Sequence, residues 1–353
     1  MFTVLINDKK FCVEDGTPLK EVFSLYGVSL VDLKENAPIG RFLHVSDRSE
    51  AENVSSDRLV DRDMAIETDC VPPKEDLSFS TCSLAINVSD KWIDVCLTDG
   101  KVATTRSLLN PLLSVGDLAA QETAYDRKPA AVTELLLSPI VKKCRELLTL
   151  YDQDHAETTV VCASEFYLKI IFGLPQNTAM KDYTSWGGNK NLGLPTGAVR
   201  VLPAIGAFIS GELFCASVSL PENTFLIDCE NNLTLLYVGK ENDTYTYMWG
   251  VDYSETSLLM IRAAMRVLKP VDARPIVYLY GENAYALEDM LTDEGLSYIH
   301  AEKDPSAPAK AAIPSFYSKL EKEKKRTSFH DLLKDENFQE EMNNIYLYAN
   351  RPY

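Results

Sequence analysis

The stretch FLIDCENNLTLLYVG, Phe225 to Gly239, reads as strand, tight turn, strand, with Asp228 closing the first strand. A carboxylate in that place, followed by glycine and hydroxyls, is the chemistry of a phosphate-gripping hairpin. Glycine lets the backbone approach the phosphates, and hydroxyls and amides donate to their oxygens. The turn here, Cys229-Glu230-Asn231-Asn232, holds no glycine and no hydroxyl. The plainer reading of Asp228 is a cap that accepts from the turn's own amides, with Asn231-Asn232 tolerating positive φ.

Other chemistry-bearing residues resolve less. Gly187-Gly188 and Gly193 lie in a polar loop, and a lone glycine cluster is weak support for phosphate binding. Lys91-Trp92 is read as packing on a strand rather than ligand contact. Cys162 and Cys229 have no histidine or basic neighbour in sequence to activate them, so burial is the expected fate of both thiols. The histidines, 44, 155, 300 and 330, are isolated from one another and from any cysteine pair, and no metal site follows from them. No nucleophile–base set or carboxylate pair can be nominated.

The elements that must position these residues fall into two textures. Residues 1–70 open with two short strands, FTVLIND and KFCVEDG, and a helix, TPLKEVFSLYG. Thr17 is the expected N-cap, Pro18 the first helical residue and Gly27 the stop. Leu19, Val22, Phe23 and Tyr26 fall on one helical face. A polar, irregular stretch from Glu35 to Asp63 and a closing strand in DMAIETDCV complete a β-grasp pattern. Residues 71–78, with Pro72-Pro73, form a stiff charged linker.

Beyond it, strands and helices alternate. A strand–turn–strand near 80–100 uses Asp99-Gly100 as a hairpin signal into a third strand. Helix follows over 116–150, with a break expected at Ser138-Pro139. VVCAS is a buried strand, EFYLKIIFG a helix ending at Gly173, and GAFISGELFCASVSL a small-residue helix. The hairpin at 224–240 is followed in turn by helix, strand, helix and strand, so the chain contains two halves of a duplicated α/β domain, 79–198 and 199–305. A tail, 306–353, carries the charge run 319–326, read as a solvated helix, and a Ser328-x-x-Asp331 capping box expected to open a last helix.

Composition narrows the partners. Apolar residues at 46% and charged residues at 25% are ordinary globular values. A net charge of −17 argues against nucleic acid and anionic membrane, which need a cationic footprint, and serves solubility. Met1-Phe2-Thr3-Val4 opens straight into a strand pattern with no export signal, and the eight cysteines include no Cys-x-x-Cys, so a reducing cytoplasm is the expected compartment.

The order of segments resembles the reductive activators of corrinoid proteins. These are ATP-dependent iron–sulfur proteins with a ferredoxin-like module and a domain of the acetate-kinase, sugar-kinase, heat-shock chaperone and actin superfamily. The stretches that carry the resemblance are LAINVSDKWIDVCL, LLNPLLSVGDLAAQETAY, VVCASEFYLKIIFGLP with VRVLPAIGAFISGELFCA, and FLIDCENNLTLLYVG. It implies a β-grasp module followed by two ribonuclease-H-like lobes. It also assigns positions. The first phosphate hairpin falls on Asn87, Val88, Ser89, Asp90 and Lys91, and the second on Asp228, Cys229, Glu230, Asn231 and Asn232. The adenosine turn falls on Tyr278-Leu279-Tyr280-Gly281-Glu282-Asn283.

Measured against that pattern, the chain departs at every element. Both hairpin glycines are replaced, and the first aspartate is Asn87. A carboxylate 4 Å from one phosphate charge costs about 1 kcal/mol in water and about 4 kcal/mol at intermediate dielectric. Asp90 and Glu230 would both face a polyanion, which Lys91 or magnesium offsets only in part. The adenosine turn keeps one glycine, Gly281. A plant-type cluster needs four cysteine thiolates, and the loop KENAPIGRFLHVSDRSE has none; Cys12 and Cys70 are the module's only cysteines.

The expectation is therefore a non-catalytic binding or scaffold protein without cluster or nucleotide. By resemblance its partner would be a corrinoid protein, a methyltransferase or a true activator, with homodimerisation left open. The alternative is an activator or ATPase with atypical hairpins that binds ATP and magnesium through Asn87, Asp228, Asn231, Asn232 and Gly281.

Overall fold

The computed structural model describes residues 2–28, 38–45, 51–99, 102–176, 178, 192–203, 223–229, 233–238, 245–251, 254–269, 273–281, 283–301, 326–328 and 333–349. Two compact units, Met1–Val201 and Leu202–Tyr353, divide the chain.

The first unit begins with β1 (Phe2–Ile6), β2 (Lys9–Val13), α1 (Leu19–Leu25), β3 (Pro38–His44), β4 (Ala51–Ser55) and β5 (Met64–Glu67). The strands form one sheet in the order β2-β1-β5-β3-β4, with β1 and β5 parallel at its centre. Successive strand residues face opposite sides, and both sides of this sheet are covered. Val4, Ile6, Met64 and Ile66 join Leu19, Val22 and Phe23 of α1 in one core. Leu5 and Ala65 point the other way and pack with Trp92 and Leu109 of the following lobe.

Two local expectations change. The N-cap of α1 is Pro18, with extended backbone (φ −67°, ψ 139°), while the Thr17 hydroxyl donates to the Glu14 carbonyl at 2.8 Å. The first helical amides are satisfied from outside the helix: Leu19 donates to the Arg58 carbonyl and Lys20 to the Ser56 carbonyl. A side-chain cap is thus redundant, and the chain turns one residue later. The stretch from Glu35 to Asp63 also holds β3 and β4, an antiparallel hairpin whose β3 pairs with β5. Its sequence is polar because β4 lies at the sheet edge, where alternation is weak.

The lobe that follows contains β6 (Ser83–Val88), β7 (Trp92–Thr98), β8 (Ala103–Leu109), a 3-10 turn (Pro111–Ser114), α2 (Leu118–Arg127), α3 (Pro129–Leu150), β9 (Ala156–Ala163), α4 (Glu165–Phe172) and β10 (Thr196–Pro203). Its sheet runs β10-β9-β6-β7-β8, with β6 antiparallel to β7 and parallel to β9. The Asp99 side chain accepts from the Val102 amide at 3.0 Å and so closes the β7–β8 hairpin.

The expected break at Ser138-Pro139 is absent. Pro139 lies inside the 22-residue α3, and the helices part instead at Lys128. Pro139 forfeits one helical hydrogen bond. The apolar stripe Val132, Leu136, Ile140, Cys144, Leu147 and Leu148 is buried along the whole helix and holds it through the proline. Burial also pushes the Cys144 thiol up to about 12, which makes it an inert core residue.

The second unit contains β11 (Thr224–Asp228), β12 (Leu233–Val238), β13 (Tyr245–Val251), α5 (Glu255–Leu268), β14 (Ile276–Tyr280), α6 (Tyr285–Asp293), β15 (Ser297–Ala301), β16 (Arg326–Ser328) and α7 (Glu336–Ala349). Its sheet order is β15-β14-β11-β12-β13-β16. Apart from the added β16, this repeats the first lobe's arrangement. An antiparallel three-strand meander is followed by a strand parallel to its first member and then a further strand beside that one. The duplication expected from sequence is present, and the fold is mixed α/β with two ribonuclease-H-like sheets.

The tail departs from its sequence reading. Ser328 ends β16, parallel to β13, and the rest of the expected capping box, through Asp331, lies outside the described residues. Asp335 caps α7, accepting from the Asn337 and Phe338 amides at 2.9 and 3.2 Å. Phe338 and Ile345 of α7 are buried in the core of the second unit with Ile261, Ala264 and Met265 of α5. Arg262 and Arg266 of α5 bind Glu294, and Arg266 reaches Glu341 of α7 at 2.6 Å. The small-residue helix expected at 206–220 and most of the charge run 319–326 lie outside the described residues.

Candidate functional site

In the first unit the β6–β7 turn is built from Ser89, Asp90 and Lys91. The Ser89 amide and hydroxyl both donate to the Trp92 carbonyl, at 2.9 and 3.0 Å, which closes the turn on itself. Asn110, fully buried at the end of β8, donates its side-chain amide to the Ser89 carbonyl at 2.8 Å and its backbone amide to the Lys91 carbonyl. The same side chain accepts from the Leu112 amide, capping the 3-10 turn. The Asn110-Pro111 pair is therefore a clasp over the turn.

The charged groups are engaged as well. Asp90 accepts from the Tyr167 hydroxyl of α4 at 2.8 Å, and that hydroxyl also lies 3.3 Å from the Gln121 side-chain oxygen of α2. Burial, then the Asp90 charge and its hydrogen bond, hold the Tyr167 hydroxyl well above the ordinary tyrosine value, so it stays a donor at neutral pH. Lys91 pairs at 2.8 Å with Asp63, the residue just before β5. Trp92 is 6% exposed and packs on Leu5, Val45 and Ala65. Asn87 is buried on β6, opposite Asp94 on β7 and Cys162 on β9.

This arrangement binds the turn to α2, α4 and the N-terminal sheet. Hydrogen bonds to a charged partner contribute about 1.5–3 kcal/mol each. Tyr167→Phe is therefore expected to lower the stability of the first unit by about 1.5–3 kcal/mol in urea unfolding. An unchanged midpoint would remove this hydrogen bond from the account.

In the second unit Asp228 ends β11, paired with Thr234 of β12 and Tyr280 of β14. Gly281 follows Tyr280 directly, with φ +106°, a conformation that glycine adopts without strain. The Asn283 amide donates to the Cys229 carbonyl at 3.1 Å, tying the turn after β14 to the end of β11. The fold thus brings Asp228 and Gly281 to the carboxyl ends of neighbouring parallel strands, where open α/β sheets place their ligands. Cys229 is fully buried, as is Cys162 in the first lobe. Glu230, Asn231, Asn232 and the Gly187-Gly188 pair lie outside the described residues, as does the side chain of Asp228.

Sequence reasoning did not find Tyr167, Gln121 or Asp63. Only their distant partners, 77, 46 and 28 residues away, make them part of the site. Asn110-Pro111 was visible as a motif, but its partner was not. Among the described residues no group of three or more His, Cys, Asp or Glu side chains is placed to hold a metal ion. No described helix is long and apolar enough to cross a membrane.

Neither a protein-family model nor a curated protein matches the chain by sequence. Solved structures do match by fold. One is an inorganic polyphosphate/ATP-glucomannokinase from Arthrobacter sp. strain KM, at 13% identity and a TM-score of 0.39, over 68% of this chain and 100% of the other. Another is the ethanolamine utilization protein EutJ from Carboxydothermus hydrogenoformans, at 9% identity and a TM-score of 0.38, over 67% and 91%. A reductive activator for corrinoid, iron–sulfur protein aligns at 12% identity and a TM-score of 0.50, over 97% of this chain and 98% of its own. From the N-terminal β-grasp sheet through both duplicated lobes, the chain has the fold of that reductive activator.

Proposed function

We propose that the chain is a non-catalytic binding or scaffold protein derived from the ATP-dependent iron–sulfur activators of corrinoid proteins, working without cluster or nucleotide. The observation that carries this reading is the state of the β6–β7 turn. Its carboxylate, lysine and hydroxyl already serve Tyr167, Asp63 and the Trp92 carbonyl. A phosphate would have to displace those partners and then face the Asp90 charge. The N-terminal module holds only Cys12 and Cys70, which cannot complete a four-thiolate site. The partner, by likeness of fold, is a corrinoid protein, a methyltransferase or a true activator.

Calorimetric titration with Mg-ATP tests the nucleotide part. No saturable heat is expected. Micromolar binding abolished by Asp228→Ala would overturn the proposal. Recovery of a corrinoid-linked protein by co-purification from the native host supports the partner assignment, and its absence counts against it. A second reading, an ATP-binding activator or ATPase with atypical hairpins, is favoured by one observation. Asp228 and Gly281 meet at the ends of β11 and β14, where a nucleotide site of this fold would be built.

A further inference from the structure

Residues 71–78 read from sequence as a stiff charged linker, and their contacts are those of a strap. Glu75 at its centre binds three elements at once. Lys9 of β2 lies 2.7 Å from its carboxylate, and the Thr104 hydroxyl of β8 donates at 2.6 Å. The Tyr151 hydroxyl at the end of α3 donates at 3.1 Å, and the Arg106 guanidinium lies at 3.6 Å. On either side, the Lys74 ammonium sits over the Tyr151 ring, and Pro73 packs against Gly27, where an added Cβ would lie 2.9 Å from the proline Cδ.

Around the strap the N-terminal sheet touches the lobe directly. Lys10 binds both oxygens of Asp94 at 2.7 and 2.8 Å in a pair 8% and 2% exposed, and the Ser107 hydroxyl joins it at 2.6 Å. The Ser107 amide donates to the Asp8 carbonyl at 2.7 Å, while Arg106 and Lys143 flank the Asp8 carboxylate. Lys91 holds Asp63, and Trp92 and Leu109 fill the apolar face made by Leu5, Val45 and Ala65. A buried ion pair, a backbone bond and an apolar cluster all cross the same junction.

We propose that residues 71–78 are a fixed strap, and that the N-terminal module, the strap and the first lobe behave as one cooperative body, so that the β6–β7 turn is not uncovered by motion of the module. The proposal concerns rigidity and is independent of what the turn binds. The state of Glu75 agrees with it. Burial pushes its carboxyl up, but the hydrogen bonds from Lys9 and Thr104 and the charges of Arg106 and Lys9 outweigh burial and hold it down at about 2. A carboxyl lowered from 4.5 in this way stabilises the strap fully above pH 4.5, and the contribution is lost as pH falls through about 2.

Native-state amide exchange on the full chain tests the proposal. The amides of β1, β2 and residue 77 in the strap are expected to open together with those of β6 to β9, at one common free energy. Glu75→Gln is expected to raise exchange in the strap and β2 by at least about tenfold at neutral pH while leaving β11 to β15 unchanged. Asp94→Asn should do the same. If Asp94→Asn fails to fold, the milder Glu75→Gln still decides. The proposal is overturned if β1 and β2 in the unmodified protein exchange as a separate unit about tenfold or more faster than β6 to β9. It is also overturned if Glu75→Gln leaves strap exchange unchanged.

Discussion

Asp94→Ala is expected to destabilise the first unit by about 3–5 kcal/mol, the largest effect of any single polar substitution considered for it. Asp94 is 2% exposed, and its two oxygens take up the Lys10 ammonium and the Ser107 hydroxyl. Removing the carboxylate leaves the Lys10 ammonium, on a side chain only 8% exposed, without that counter-charge. A charge stripped of its partner in such a place costs several kcal/mol, whereas replacing both partners by apolar residues is often close to neutral. The double variant Lys10→Met/Asp94→Leu should therefore recover most of the loss. Guanidinium unfolding of the single and double variants measures both effects. If Asp94→Ala costs less than about 1 kcal/mol, the pair is solvated in solution and adds little to the junction.

The second large effect lies in the tail. Phe338→Ala is expected to cost about 3–5 kcal/mol, the usual range for emptying a buried aromatic site. Phe338 is 2% exposed and packs, with Ile345, among Ile261, Ala264 and Met265 of α5 and the strands beneath them. If α7 were an accessory helix waiting for a partner, the substitution would leave unfolding of the second unit unchanged. Thermal or urea unfolding followed in the full chain discriminates the two outcomes. The ion pairs that join α5 to α6 and α7 through Glu294 and Glu341 are partly exposed and are expected to matter less than this apolar contact.

Much of the fold was legible because its signals are local. The strands of both lobes show as apolar runs, and Gly173 ends α4 in a left-handed cap. Ser254 caps α5 by accepting from the Ser257 amide, as a serine before an apolar helical pattern should. The two hairpins announced themselves by strand–turn–strand spacing, and the repeated order of the segments gave the duplication. The errors came where tertiary packing overrode a local rule. Pro139 fails to break α3 because six buried residues of one stripe hold the helix on both sides of it. Thr17 yields the N-cap of α1 because carbonyls from residues 56 and 58 satisfy the helix start. The last described helix starts only at Glu336, where Asp335 accepts from the first amides.

The sequence by itself determined the composition of the turn after β6, the absence of cluster cysteines after α1, and the two-lobed α/β order. Each is a matter of residue identity at a position, which needs no third dimension. What only the tertiary structure decided is where the turn's polar groups go. Asp90 finds Tyr167 and Lys91 finds Asp63 across many intervening residues, and Glu75 gathers β2, β8 and α3 around one carboxylate. Such pairings are set by which strands lie side by side, and no local propensity encodes them.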